Sequence, residues 1–400
     1  MTTTAVFDPF SEVFFEDPYE VYRHLRDRAP VHFNERYGFW ALARHADVMA
    51  ASHDWRTFSS SRGVDLYSLS LDADLVAGLG MMIMQDPPDH HRLRGLVSKV
   101  FHPRAVQGLE PMVTEVIREQ ADRLDGRSDF DAVEEFAAPF PVEIISRMLG
   151  VPAADRQKIR HWIDLTLHRE PGEVGPSPAG MEASLEAVAF FDDLVRRKRR
   201  DPADDMLSLL TQATMEREDG SVTGLSDPEI AGFAALLGGA GAETVTKLVS
   251  NAFVLFSRHP DQWSAVRGDP GLVPGAVEEI LRYWPPSQYQ GRYSVQDSEW
   301  QGTTIPAGYP VLLLTGAANH DEREYADPDR FDVTRTPGHA LGFGFGIHTC
   351  LGAALARMES RVACEEMIRR WPAFTVDEDA TERVQMANVA GYSRVPVHVG

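Results

Sequence analysis

From Asp227 to Arg258 no proline interrupts the chain after Pro228, and any fold must be built around the helix that this segment predicts. Ser226-Asp227-Pro228-Glu229 has the spacing of a capping box, with proline inside the first turn, where a missing N–H leaves nothing unsatisfied. About 30 residues at ~1.5 Å each give a rod of roughly 45 Å, enough to cross a whole domain. Phe233, Leu236, Leu237, Val245, Leu248, Phe253 and Leu255 fall on several sides of it. A helix apolar on more than one face is a buried, central element.

The remaining pattern surrounds that rod with more helix and a little strand. Pro30 to Arg44 reads as two short strands around a turn at Glu35–Gly38. Arg104 to Arg200 is helical in pattern, broken near Gly150–Pro152 and in the Gly/Pro-rich stretch Glu170–Gly180, which predicts a mobile loop between two helices. Short strands follow around Arg292–Val295 and Val311–Leu314, then a turn-rich meander, a helix from Leu351 to Trp371 and strand-like segments near the C-terminus. The expected class is mostly α with a small β part. No internal repeat or long linker divides the 400 residues, so residues 1–400 are expected to form a single domain.

Composition narrows the partners. Sixty acidic against 39 basic residues give a formal charge of −21, which repels nucleic-acid phosphates and anionic lipid surfaces. Two cysteines, Cys350 and Cys364, exclude a disulfide framework and favour a reducing compartment. The N-terminal residues carry no basic and apolar leader, and no run of about 18 apolar residues occurs, so no membrane anchor and a cytoplasmic location are expected.

The sharpest local signal is His339-Ala340-Leu341-Gly342-Phe343-Gly344-Phe345-Gly346-Ile347-His348-Thr349-Cys350-Leu351-Gly352. Alternating glycines let a loop backbone lie close to something flat. Cys350 then stands at the start of a helix, whose N-terminus favours a thiolate, and loop N–H groups can tune that sulfur as a metal ligand. Gly352 leaves room for a macrocycle. Cys364, by contrast, reads as a small buried hydrophobe. Phe343-Gly344-x-Gly346-x-His348-x-Cys350-x-Gly352 matches the haem-binding signature of the cytochrome P-450 superfamily without a departure, and the chain resembles that family from Asp17-Pro18-Tyr19 to Val395-Pro396-Val397.

The resemblance implies a single triangular domain that holds haem b between the long helix and the Cys350 loop. It makes Cys350 the iron ligand and sets Phe343, Gly344, Gly352 and Ala240 against the haem. Gly238, Gly239 and Gly241 precede Glu243-Thr244, and mid-helix glycines that each cost roughly 1 kcal/mol suggest distortion or close approach. Ala240-Gly241-Ala242-Glu243-Thr244 resembles the family's oxygen-activation motif. Thr244 by itself could simply bond back to its own helix. In the family this acid–Thr pair manages protons during oxygen activation, which assigns Glu243 and Thr244 the catalytic roles. Asp86-Pro87-Pro88-Asp89-His90-His91-Arg92-Leu93-Arg94 resembles the segment leading into a haem-flanking helix. His90 and Arg94, four apart, can share a face toward a haem propionate, with Arg292 and His348 at two further propionate positions; His91 reads as solvated. Glu279-Ile280-Leu281-Arg282 could be an ordinary helical ion pair, but the resemblance joins Glu279, Arg282 and the meander residue Arg335 into a structural lock.

The implied reaction is hydroxylation or epoxidation of an apolar small molecule with dioxygen. Its electrons would come from a separate ferredoxin and an NAD(P)H-dependent ferredoxin reductase. By family analogy the pocket is lined by the Leu/Met-rich Val64–Met82 segment, by Phe233, Leu236 and Leu237, and by Gln288, Tyr289, Gln290 and Val389. The three polar members among these would hold one hydroxyl or carbonyl. His90 to Leu109 has no acidic residue, and Lys99 and Arg104 are its candidates for docking an acidic partner. A peroxide-driven haem-thiolate enzyme is disfavoured by the retained Glu243-Thr244. A non-catalytic haem sensor is disfavoured by the same pair, and a zinc protein built on His348 and Cys350 lacks two ligands.

Overall fold

The computed structural model describes residues 7–98, 101, 103–216, 220–336 and 338–400. Six helices position the site: α1 (Asp89–Val97), α2 (Arg156–Leu167), α3 (Pro178–Arg200), α4 (Asp227–Arg258), α5 (Val273–Tyr283) and α6 (Ala353–Arg370). Helix α4 has the bounds that its caps predict. Ser226 Oγ accepts from the Glu229 amide and Glu229 Oε2 accepts from the Ser226 amide at 2.8 Å, while His259-Pro260 ends the helix. Every residue from Val245 to Phe256 is buried, so this half is enclosed on all sides. Helices α2, α3, α6 and Pro139–Leu149 pack against it.

The β part is a five-stranded sheet of β1 (Val31–Asn34), β2 (Phe39–Leu42), β3 (Phe58–Ser59), β4 (Gln290–Ser294) and β5 (Pro310–Leu313), in the order β1-β2-β5-β4-β3. Only the β2–β5 pairing is parallel. Its alternating residues feed two small cores, one of them aromatic, where Phe7 meets Phe14 and Phe39 edge-on at 5.9 Å. A separate sheet joins Asp129–Asp131, Pro396–Val399 and Phe374–Val376, tying the chain's end to its helical part. The fold is mostly α with a small β part.

Two expectations need correction. The helix after Cys350 begins at Ala353, with Gly352 as its cap, and not at Leu351. The stretch between α2 and α3 is fastened at several points. The Arg169 amide donates to Gln385 O at 2.8 Å and the Gly172 amide to Phe10 O at 2.7 Å. The buried Arg169 guanidinium donates to the carbonyls of Thr166, His168 and Val174. Glycine and proline content signals where helix stops; the tertiary hydrogen bonds that hold a loop leave no local trace.

Candidate functional site

The Cys350 loop is built by two single turns, Leu341–Phe343 and Gly346–His348. Gly346 has φ 73°, and a Cβ there would stand 2.4 Å from Ser52 O, so both the backbone bend and the close approach require glycine. The Cys350 amide donates to Phe343 O at 2.8 Å and closes the loop. Cys350 itself is exposed to solvent-sized space although protein crowds its other sides. Burial pushes its thiol pKa up; the Gly352 amide that points at the sulfur and the Arg94 and Arg357 charges act the other way. Beside it, a Cβ on Gly352 would meet nothing within 4 Å. Phe343 is fixed by Arg357, whose guanidinium carbon lies 4.5 Å from the ring centre while its Nε binds Glu278.

Near this loop a group of nitrogens gathers with one carboxylate in range, Asp86, which accepts from Ser59 and Ser60 and not from them. The His90 and His348 rings lie 4.3 Å apart; neither His90 nitrogen has a hydrogen-bond partner, and His348 Nε2 has none. Arg292 is buried and donates only to the neighbouring Gly291 O, at 2.7 Å. Burial and the surrounding cations depress the histidines, His90 to about 4 and His348 to about 2, and burial lowers Arg292 to about 10 against the opposing charge of Asp86. Arg94 donates to Thr349 O at 2.7 Å, which ties α1 to the loop. Arg62 Nε is a further orphaned donor, with its guanidinium 4.7 Å from the Tyr293 ring centre; the sequence reading passed over it. His91 is exposed. Donors this deep that lack acceptors are costly. They fit the carboxylates of a flat, apolar macrocycle, and the open space at Gly352 and the accessible thiol fit its plane and its metal.

On α4 one stripe breaks the general burial. Leu236 and Thr244 are half-buried and Ala240, between them at helical spacing, is exposed, so this face borders internal space. Thr244 Oγ1 donates to Ala240 O at 2.8 Å: the self-bonding open to any helical threonine is what it does here, and its oxygen lone pairs are left free. Glu243 is buried and paired with Lys247 at 2.5 Å. The i, i+4 spacing of that pair was visible in the sequence and was not read.

Residues bordering a void should be accessible, and this separates the pocket candidates. Leu236, Leu237 and Gln290 are half-buried. Tyr289 is fully buried: its ring packs in the N-terminal aromatic cluster and its hydroxyl donates to Ala387 O at 2.8 Å. Gln288 is also buried, with Nε2 donating to Pro285 O at 2.7 Å. Phe233 packs on Phe101 and Val389 on Val384 and Met386. Within the Val64–Met82 stretch Leu66, Leu69 and Met82 belong to the core, while Leu75 points outward. By this measure Tyr289, Gln288, Phe233 and Val389 belong to the packed interior, while Leu236, Leu237 and Gln290 border internal space. Arg104 is exposed; Lys99 lies outside the described residues.

Glu279 takes Arg282 in two parallel bonds at 2.8 and 2.9 Å, Arg335 Nε at 3.2 Å and the Asp332 amide at 3.0 Å. The remaining guanidinium donors end on carbonyls of Asn319, Pro328, Ala326, Asp327 and Arg330.

A mostly helical chain with an accessible cysteine beside unpaired donors fits the class of proteins that hold a haem through sulfur. Residues 271–396 match the family described as Cytochrome P450. Cytochrome P450 130 of Mycobacterium tuberculosis is 38% identical over 90% of this chain and 90% of its own. Vitamin D(3) 25-hydroxylase of Pseudonocardia autotrophica is 36% identical over 100% and 98%. The structure of CYP109Q5 from Chondromyces apiculatus superposes with a TM-score of 0.88 at 33% identity, covering 99% of each chain. The chain belongs to the cytochrome P450 family. It is a haem-thiolate monooxygenase, and its cofactor is iron protoporphyrin IX. Among the described residues no helix is long and apolar enough to cross a membrane.

Proposed function

We propose that residues 1–400 act as one catalytic domain that hydroxylates an apolar, medium-to-large substrate, with Cys350 as the thiolate ligand. The observation that carries the assignment is the accessible Cys350 sulfur beside buried donors that lack acceptors. His90, Arg292, His348 and Arg62 supply the bonds for the haem propionates, and Arg94 adds those its Thr349 contact leaves free. Bound there, the haem supplies the chemistry that reduces dioxygen with two electrons and two protons, so that one oxygen atom enters a C–H bond and the other leaves as water. Phe343 and Gly352 shape the sulfur side, and Ala240 leaves space on the other. Thr244 presents its free lone pairs to that space, and Glu243, one residue away, holds the proton supply. Leu236 and Leu237 keep water out and offer no charge to the substrate, so polar compounds gain little there. Gln290 is the polar residue best placed to orient one hydroxyl or carbonyl. The hydroxylase relative named for vitamin D(3) supports a substrate of that apolar, polycyclic kind.

Electrons are supplied in this reading by a separate ferredoxin and its NAD(P)H-dependent reductase, with Arg104 among the docking cations. Reversing that charge should slow reduction at low salt and have little effect at high salt. The central test is spectroscopic. The reduced protein with carbon monoxide should show the red-shifted thiolate Soret band, and Cys350→Ala should lose it together with activity. A thiolate band that survives in Cys350→Ala removes Cys350 from the site.

A further inference from the structure

Glu243, Lys247 and Asn251 stand at i, i+4 and i+8 on α4, a polar line running into the half of the helix that is enclosed. All three are buried. Lys247 Nζ bridges Glu243 and the carbonyl of Tyr392, at 2.5 and 2.9 Å. One turn further, Asn251 Nδ2 donates to Trp284 O at 3.1 Å while its Oδ1 has no partner. Asn251 lines a crevice of about 20 Å³ together with Asp17, Tyr19, Gln288, Arg383 and Gly391. That is room for a water molecule, which needs roughly 10–15 Å³ and two or more polar partners. The buried Tyr19 hydroxyl, which faces the Gln288 side chain, and Gln288 Oε1 complete such a set. Exposed Asp17 marks the outer side. Gly391, at φ 154°, lies so close that a Cβ would stand 2.7 Å from the Lys247 Cβ, so the crevice wall and the lysine stem touch.

We propose that this line is the route by which protons reach Glu243 from solvent, entering beside Asp17, passing over water held by Tyr19, Gln288 and Asn251, and handed on by Lys247. In the last transfer a Lys247 N–H bond breaks as a Glu243 O–H bond forms, and the amine then takes a proton from the water at Asn251. Lys247 and Asn251 are positioning and relay residues; they act through Glu243. The inference rests on the proton role given to Glu243 above.

The competing way out is through α2. Asp164 there has its carboxyl pKa raised to about 6 by burial and by the Glu243 charge, with Arg160 and Glu134 beyond it.

The test measures product formed per electron consumed in the holoenzyme, with the substrate-induced Soret shift and the carbon monoxide spectrum as controls. Lys247→Met should lower coupling roughly tenfold with both controls intact, and Lys247→Arg should restore most of it. Tyr19→Phe, which removes one hydroxyl and nothing else, should lower coupling a few-fold and keeps the test decisive if Lys247→Met folds poorly. Infrared spectra without turnover give a second readout. Lys247→Met should show a neutral carboxyl band that disappears in the double variant with Glu243→Gln, and Asn251→Leu should slow its exchange into D2O. Normal coupling in Lys247→Met and Tyr19→Phe overturns the route, as does uncoupling confined to Asp164→Asn. Normal coupling in Glu243→Gln instead overturns the proton role on which the route depends.

Discussion

Glu279, Arg282 and Arg335 form one largely buried polar cluster, and His90, Arg292 and His348 form another; the two are finished in opposite ways. In the first, two guanidinium groups meet one carboxylate and the surplus donors end on five backbone carbonyls. In the second, both His90 nitrogens and His348 Nε2 have no partner and Arg292 binds only the carbonyl beside it. Burial without acceptors is unfavourable, so a cluster of such donors calls for a ligand, an ion or water to complete it. A closed network holds the fold together, and an open one holds something else.

The comparison breaks most visibly if Arg282 is truncated. Arg282→Ala leaves Glu279 buried beside a single partner, and we expect a loss of about 3–5 kcal/mol in denaturant unfolding, with little haem retained. An Arg282→Ala protein that is soluble, haem-loaded and as stable as its parent would reduce the closed network to a chance contact.

Arg292→Leu should behave the other way. It removes a buried charge whose one acidic neighbour, Asp86, is bonded to Ser59 and Ser60 instead, so the haem-free protein should gain about 1–3 kcal/mol of stability. Haem affinity, measured by transfer to an acceptor globin, should fall by roughly tenfold for the lost charge-assisted bond. Opposite signs on the two measurements are the mark of a cradle. A loss of stability in the haem-free protein would place Arg292 with the structural network.

Legibility in the sequence divides along the same line. The Cys350 loop was readable because its glycines answer local demands: Gly346 must take φ 73°. The α4 bounds were readable because capping is local as well. The pocket was not, because accessibility is decided by distant chain. Tyr289 lies in a segment that family analogy placed on the pocket, yet Phe14, some 270 residues away in sequence, draws its ring into an aromatic cluster. Arg62 escaped notice for a similar reason: the features that mark it are a missing partner and a Tyr293 ring on another strand.

Leu236 sharpens the comparison at the substrate end. It is half-buried on the accessible stripe of α4, two turns before Thr244. Leu236→Ala should weaken binding of apolar substrates by about 1–2 kcal/mol, read from the titration midpoint of the Soret shift, and should cost the fold less than a core Leu→Ala does. Unchanged affinity across a panel of steroids, terpenoids and fatty acids would move the pocket off this face.

The smallest effect is expected at Tyr289, where the corrected geometry makes a claim of its own. Its hydroxyl donates to Ala387 O inside a fully packed cluster, so Tyr289→Phe removes one hydrogen bond and leaves a carbonyl short of a donor. That should lower stability by about 1 kcal/mol. Because the ring has no accessible surface, the substrate-induced Soret shift and the regiochemistry of hydroxylation should both stay as they are. Gln290 is half-buried and its Nε2 donates to the hydroxyls of Ser287 and Thr315, so Gln290→Leu should show the converse: near-normal unfolding and an altered product ratio. If Tyr289→Phe changed the product ratio and Gln290→Leu did not, the assignment of these two neighbours would have to be exchanged. Burial would then no longer separate core from pocket along this strand.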